Sequence, residues 1–539
     1  MRILKNLAVV ALTLAMCLAS QLPAAAGEDL LIQDGVLVSY NGAGGDVTIP
    51  EGVTAVGESA FLFCEDLVQV TIPESVQEIG ENAFGGCANL TQVTLPDGLQ
   101  KIGLGAFSGC GLTQITIPGS VQEIGNSAFN GCMNLTQVTL SEGVVTIGKQ
   151  AFFGCEGLTQ ITFPESLREI GNSAFHSCRS LTQVTIPATV ETVGAQAFRE
   201  CSKLASVTVG ARAIGSEAFR DNHRLTNVTF LEGVTQIGSN AFSKCENLES
   251  PLFPESLTSI KNSAFSLCGF DTVIIPDGVT ELGDHAFGQN ENLTHVELGS
   301  GISTLNNAFS SCTALKALEI PESVTAIGED AFYATGIVEI TIPDSVTRID
   351  RAAFYGCLDL ERVTFGSGLQ SIGEYAFGCP KLTTVVIPEG VTEIGSNAFY
   401  SLADIAIPAS ATELGYSLIE KGSSTVFHVT AGSEAEFNAK SNGFSAVTDY
   451  DDFASTVPAP GVYSAAALTA AESAGEEPAL DDGAAAAPSE DAPAEDAVPR
   501  PAQEESSGGA GSVIAVIVVI VAAAAVACGA WVVLKKRKV

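Results

Sequence analysis

The sequence predicts a repeat solenoid of α/β type, made mostly of short parallel β-strands, followed by one transmembrane helix. Three observations carry that expectation. An Ala-Phe pair recurs 16 times from Phe61 to Phe399, at intervals of 21 to 23 residues. Each unit has apolar residues at period two, as at Val93 and Leu95, the mark of a strand with one buried face. A 22-residue run without charge, Val513 to Leu534, stands near the C-terminus. A unit this short cannot bury its own apolar side and must stack on its neighbours, so the fixed period overrides the several ordinary domains that 539 residues would suggest.

Taken from the N-terminus, residues 1–26 form a signal peptide. Arg2 and Lys5 precede a small, apolar run from Leu7 to Ala19, and Ala24-Ala25-Ala26 supplies a small-residue cleavage site before Gly27. An N-terminal cap over 27–60 opens the solenoid, which runs over 61–404, and a C-terminal cap over 405–450 closes it. Residues 451–512 are rich in Ala, Pro, Glu and Asp, with 11 acidic residues from Glu472 to Glu505 against the single Arg500. Too little apolar bulk and too much like charge predict a disordered stalk, spanning on the order of 40 Å. Residues 513–534 are long enough to cross a bilayer core of about 30 Å. The basic tail 535–539 (Lys535, Lys536, Arg537, Lys538, Val539) stays cytoplasmic, which leaves the N-terminal ectodomain outside the cell.

A clean repeat runs from Ala83-Phe84 through Cys87, Leu90, Val93, Leu95-Pro96, Leu99 and Ile102-Gly103. Stacked in parallel at about 4.8 Å per unit, 16 such units extend for roughly 75 Å. The glycine column (Gly80, Gly103, Gly125, Gly148, Gly171 and onward) is interrupted by Asn306 and Asp350. Those are the residues that best tolerate positive φ, so the column predicts a left-handed corner, on which reading Lys261 in the same place has no account. The proline column (Pro73, Pro96, Pro118, Pro164, Pro187) closes each strand, where a missing N–H does least harm.

Twelve cysteines occupy a third column: Cys64, Cys87, Cys110, Cys132, Cys155, Cys178, Cys201, Cys245, Cys268, Cys312, Cys357 and Cys379. Export would favour disulfides. The first seven, however, fall in consecutive repeats, an odd ladder that cannot pair completely, and parallel side chains on stacked units point the same way. Asn222, Asn290 and Thr335 fill the column elsewhere with small groups able to hydrogen-bond backbone. Buried free thiols acting as small apolar fillers are therefore expected, and no metal site, since no His or second Cys lies nearby at ligand spacing.

The pattern Cys-x-x-Leu-x-x-Val-x-Ile-Pro-x-x-Val-x-x-Ile-Gly-x-x-Ala-Phe resembles the repeat of the BspA-type leucine-rich-repeat surface proteins of bacteria, over about residues 36–447. The resemblance implies a leucine-rich-repeat arc of about 16 repeats with Val36 to Pro50 in the opening cap and His428 to Val447 in the closing cap. It also implies adhesion to host matrix proteins or contact between cells. A shared scaffold of this kind does not specify a ligand.

With 25 Lys and Arg against 62 Asp and Glu, the formal net charge is −37, which argues against nucleic acid or anionic lipid as a partner. No catalytic, cofactor-binding or metal-binding set is expected. The five histidines are scattered, and no Gly-x-Ser-x-Gly elbow or phosphate loop is present. Function is expected on the strand face turned away from the core. Up to Thr229 that face is a Gln/Thr ladder (Gln69, Gln92, Gln114, Gln137 and onward beside Thr71, Thr94, Thr116, Thr139 and onward), and beyond it the pattern breaks.

Leu252, Ile274, His295, Glu297, Glu319 and Glu339 form the candidate ligand patch, apolar groups with polar neighbours as a specific partner requires. The expected function is that of a cell-surface, membrane-anchored binding protein, an adhesin for host matrix or microbial surface proteins. The alternative is a polysaccharide-capture protein that uses the Gln/Thr face. One Trp, Trp531, and no outward aromatic column weaken it, because sugars stack on rings. Four Asn-x-Thr sites (Asn89, Asn134, Asn227, Asn292) fall within the repeat consensus and read as structural.

Overall fold

A computed structural model describes residues 29–419 and 424–456. These belong to one compact unit, Met1–Ala474, whereas a second unit, Gly475–Val539, lies wholly outside the described residues. The expected signal peptide, most of the stalk, the span 513–534 and the tail 535–539 also lie outside them. Among the described residues no helix is long and apolar enough to cross a membrane.

Most turns of the solenoid contribute two strands. The longer one bears the period-two pattern: Gln114–Ile117, Gln137–Leu140 and Gln160–Thr162 pair in parallel, with Gln114, Gln137 and Gln160 in register. The second has only two residues, as in Lys101–Ile102, Glu123–Ile124 and Thr146–Ile147, and pairs with its counterpart in the next turn. These short strands build a 13-stranded sheet that ends at Glu281–Leu282 and a six-stranded one that begins at Thr304–Leu305. The proline column starts the turn between them: the N–H of Val76 donates to the Pro73 carbonyl at 3.1 Å, and Leu99 to Pro96 at 3.0 Å.

The α/β expectation is corrected by the connections. Among the described residues the only helices are α1 (Glu434–Ser441) and α2 (Tyr450–Thr456), both at the C-terminal end. Within the repeats the chain from proline to the Ala-Phe pair is too short and too rich in Gly and β-branched residues for a helix, and forms turns around the two-residue strand.

The glycine column is also corrected. Gly80, Gly103, Gly125 and Gly148 do not have positive φ. What demands glycine is proximity, since a Cβ on Gly125 would lie 2.4 Å from the Ile102 carbonyl oxygen and one on Gly103 2.8 Å from the Glu81 nitrogen. Because no left-handed backbone is needed, Lys261, Asn306 and Asp350 can occupy the column at a steric cost alone. The left-handed positions lie two residues after this glycine (Ser59, Asn82, Ser127, Gln150) and two after the ladder phenylalanine (Phe63, Gly86, Gly109, Gly131).

The phenylalanines form a stack through the core. Phe84, Phe107, Phe129, Phe152 and Phe175 are fully buried, with ring centroids 5.1–5.3 Å apart and planes within 7° of parallel. Beside them run the cysteines, all twelve free and eleven buried. Each buried thiol donates to the carbonyl of the preceding ladder phenylalanine, as Cys87 Sγ does to Phe61 at 3.0 Å and Cys110 to Phe84 at 3.1 Å. Asn222 and Asn290 make the same bond to Phe198 (2.9 Å) and Phe265 (3.0 Å), so the column selects a donor of small size. Burial pushes the Cys132, Cys201 and Cys312 thiols up to about 12, which keeps them protonated and unreactive.

The ends differ. At the start, Leu30–Gln33 and Val36–Tyr40 form an antiparallel hairpin whose turn, Asp34-Gly35, has both residues left-handed, as a two-residue hairpin prefers. Tyr40 covers the first ladder ring, 5.0 Å from Phe61. At the other end, Ser433 caps α1 by accepting from the Glu436 N–H. The stalk was expected from residue 451, but Tyr450–Thr456 is helix α2. The Tyr450 hydroxyl donates to the Ile387 carbonyl at 2.8 Å, and Phe453 lies flat on His428 at 3.5 Å between ring centroids. Folded structure therefore continues to Thr456.

The stack has one interruption. From Gly283 to Phe287 and from Gly328 to Phe332 the chain takes four steps, but from Asn306 to Phe309 only three. The missing residue is the left-handed one that His285 and Asp330 supply in the adjacent turns. Phe309 stacks on Phe287 at 5.8 Å, and among the described residues no ring contact joins it to Phe332. The break between the 13- and six-stranded sheets falls at the same turn.

Candidate functional site

The exposed strand face follows from the period of two. Val138, Val184 and Val228 turn inward, so Gln137 and Thr139, Gln183 and Thr185, and Asn227 and Thr229 turn outward. In-register pairing lines these up, with Thr116, Thr139 and Thr162 in one row and Thr185, Thr208 and Thr229 in another. Thr136, Thr159 and Thr182, just before the strands, donate to the carbonyl of the equivalent residue one turn back. That bond explains a threonine at the strand entry without a ligand.

The face changes at Ser250. Pro251 occupies the inward strand position and has no N–H to donate, so only an isolated bridge, Thr229 to Leu252, carries the row onward. Leu252 is 78% exposed and Ile274, one turn later in the same column, is 45% exposed. Thr272–Ile274 then pairs with His295–Glu297, which sets Ile274 beside Glu297, and His295 Nε2 lies 3.0 Å from Glu297 Oε1. Glu319 is exposed in a turn with no strand at this position, and Glu339 pairs with Arg362 at 3.2 Å. The six candidate residues thus share the strand face but divide into an apolar pair beside His295 and Glu297, a separate Glu319, and a Glu339 already engaged by a cation.

Sequence reasoning missed what borders the apolar pair. Glu246, Glu249, Ser250, Asp271 and Asn292 line an open depression of about 770 Å³ at the strand entry next to Leu252. It arises because the next repeat is one residue shorter between Cys268 and Phe270, and Gly269 is drawn against the preceding turn, where a Cβ would lie 2.2 Å from the Glu246 carbonyl oxygen. Gly111 and Gly336 mark the same shortening, and that glycine after the cysteine-column residue (Cys110, Thr335) was the available signal. Ser250 Oγ donates to Asp271 Oδ1 at 3.1 Å and fixes the wall. The depression is acidic and its neighbour apolar, an arrangement that can hold an apolar group flanked by cations and offers no paired acid and base for chemistry.

The expectation of no outward aromatic column fails away from the strand face. Tyr333, Tyr355 and Tyr400 follow the ladder phenylalanines Phe332, Phe354 and Phe399 directly, and all three are exposed. The remaining polar cluster is internal: His428, 8% exposed, lies between Asp449 (2.8 Å) and Asp404 (3.2 Å) and ties the last strands to α2. Among the described residues no three His, Cys, Asp or Glu gather as a metal site. Asn89 and Asn292 use their amides to reach the Glu65 and Gly269 carbonyls of the preceding turn.

Residues 42–136, 122–212, 212–333 and 305–426 match the profile of the BspA-type leucine-rich-repeat region, in six copies. Among solved structures, a leucine-rich-repeat protein from Bacteroides ovatus is 27% identical with a TM-score of 0.53, covering 68% of this chain and 93% of its own. A leucine-rich cell-surface protein from Faecalibacterium prausnitzii is also 27% identical, with a TM-score of 0.35, covering 64% of this chain and 96% of its own. No curated protein matches the chain.

Proposed function

The chain belongs to the BspA-type leucine-rich-repeat family, and from that premise we propose that it is a membrane-anchored surface adhesin whose strand face, from Ser250 to Glu339, takes a protein partner. The observation that carries the reading is Leu252, a leucine 78% exposed in a column that is threonine from Thr71 to Thr229, with Ile274 following it. An apolar centre beside carboxylates at Glu249, Asp271 and Glu297 suits a partner that offers an apolar side chain ringed by Lys or Arg. Export by 1–26 and anchoring by 513–534 would hold this face outside the cell, with host matrix or microbial surface proteins as the partner class.

Two experiments test it. Binding of the full-length chain to a panel of immobilised matrix proteins should be saturable and should weaken with salt. It should be lost when Leu252 and Ile274 are both changed to Thr. If the double variant binds every ligand as the parent does, the patch reading is wrong. Protease shaving of intact cells should remove the repeats and leave the C-terminal tail, and protection of the repeats would overturn the surface placement.

A further inference from the structure

All four tyrosines of the repeat array fall within its last repeats, from Tyr333 to Tyr400, and none in the repeats before them. They lie on the turn around the ladder phenylalanine, a surface separate from the strand face. Earlier turns fill the position after that phenylalanine differently. Phe153 and His176 meet there edge to face at 4.9 Å, and Arg199 and Arg220 are held by Glu217 and Asp221. From Phe332 onward the position is tyrosine or glycine.

Three of the tyrosine rings lie in contact. Tyr333 and Tyr355 are each 40% exposed, 6.1 Å apart between centroids and 11° from parallel. Tyr375 stands edge-on to Tyr355 at 6.4 Å, with its hydroxyl accepting from Asn397 Nδ2 at 3.5 Å. Glycine makes the arrangement possible: a Cβ on Gly378 would lie 2.4 Å from Tyr355 Cδ2, so the ring rests on bare backbone. Neighbouring positions are small, at Ala334, Ala352 and Gly356. Glu329 and Arg351, paired at 2.8 Å, add hydrogen-bonding groups beside the row.

We propose that this tyrosine row is a binding surface for a neutral glycan chain, distinct from the strand-face patch and independent of the protein-binding reading. Two exposed, nearly parallel rings on successive turns, with Tyr375 half-buried and edge-on beside them and Tyr400 exposed two turns on from Tyr355, suit an extended ligand that runs along the turns. Nucleic-acid bases and sugars both stack on aromatic rows. A net charge of −37, with Glu329, Asp330 and Glu374 on the same turns, repels phosphate backbones and anionic glycans alike. A neutral hexose chain carries no such charge: its apolar faces lie on the rings while its hydroxyls reach the phenols and the Glu329–Arg351 pair.

Affinity electrophoresis of the full-length chain through gels containing a soluble β-glucan, an α-mannan or a xylan tests the assignment. At least one of the three should retard the protein. Tyr333→Ala and Tyr355→Ala should each weaken binding roughly tenfold, the order of one lost stacking contact. Tyr333→Phe and Tyr355→Phe should bind like the parent because they keep the ring faces, and the Leu252→Thr, Ile274→Thr double variant should be retarded unchanged. Should Tyr355→Ala alter the melting curve, Tyr333→Ala, farther from Gly378, carries the test. No retardation by any of the three polysaccharides overturns the proposal, as does retardation that survives the Tyr333→Ala, Tyr355→Ala double change. Loss of a matrix protein in place of a glycan from that double variant overturns it equally, and makes the row a protein surface.

Discussion

From Gln69 to Thr229 the strand face repeats glutamine, or another small polar residue, and threonine turn after turn. The cysteine column is unbroken through Cys201, and the ladder rings stay 4.9–5.3 Å apart through Phe265. From Ser250 to Thr341 the inward residues persist as Val273, Val296, Leu318 and Ile340, all buried, while the outward ones become Leu252, Ile274, Glu297 and Glu319. In this second region the backbone yields as well: Pro251 interrupts a strand, one turn loses a residue at Asn306, and the ring stack stops at Phe309. The contrast teaches that a stack held only by nearest neighbours tolerates a weak joint, because each unit needs only the units it touches. Surface diversity and backbone irregularity share the same stretch.

The most disruptive way to break the contrast is Phe152→Ala, which opens a cavity between two stacked rings and should cost on the order of 4 kcal/mol in urea unfolding. Phe309→Ala should cost less, since Phe309 has a stacked ring on one side only. Equal costs would mean that the interruption has no energetic weight. Next in size is a glycine inserted after Asn306 to restore the left-handed residue. Regaining a backbone rung and a ring contact should stabilise the protein by about 2 kcal/mol and bring the unfolding of the two sides closer together. Hydrogen exchange read by mass spectrometry would show whether the two sides still open separately.

A smaller effect separates the regions by pH. An unfolded thiol ionises near 9, whereas burial holds Cys132 up to about 12. The folded state therefore keeps a proton that the unfolded state releases, so stability is full below pH 9 and falls as pH rises from 9 towards 12. Cys132→Ala should remove about 1 kcal/mol of the loss between pH 9 and pH 10. The loss should concentrate in the cysteine-rich first region, away from Asn222, Asn290 and Thr335. Smallest of all, Leu252→Thr with Ile274→Thr should move stability by less than about 0.5 kcal/mol, because both side chains already face water. A large destabilisation would show that they serve packing and not a partner.

Much of this was legible in the sequence because the period is short and its columns are chemically narrow. Val93 and Leu95 marked the strand, and Asp34-Gly35 and Tyr40 lay within the segment read as the opening cap. The glycine column was misread because a close approach and a left-handed corner select the same residue, and only the backbone separates them. The two-residue strand was hidden because Lys101–Ile102 is too short to show alternation. The tyrosine row was missed because attention fell on the strand columns, although Tyr333, Tyr355 and Tyr400 each follow an Ala-Phe pair. Helix α2 was masked by Asp451 and Asp452, which read as the beginning of the acidic stalk.

The thiol-to-carbonyl bonds bear on how such a chain can be made. Each cysteine from Cys87 onward donates to the turn before it, so a thiol's acceptor is in place as soon as its own repeat docks on the preceding one. Cys64, which has no ladder phenylalanine before it, is the member left partly exposed. A chain that emerges N-terminus first can close this column like a zip, retiring one reactive sulfur per repeat. If the chain is exported as proposed, to a compartment where oxidants cross-link loose thiols, the direction of emergence would protect the product as much as its final structure does.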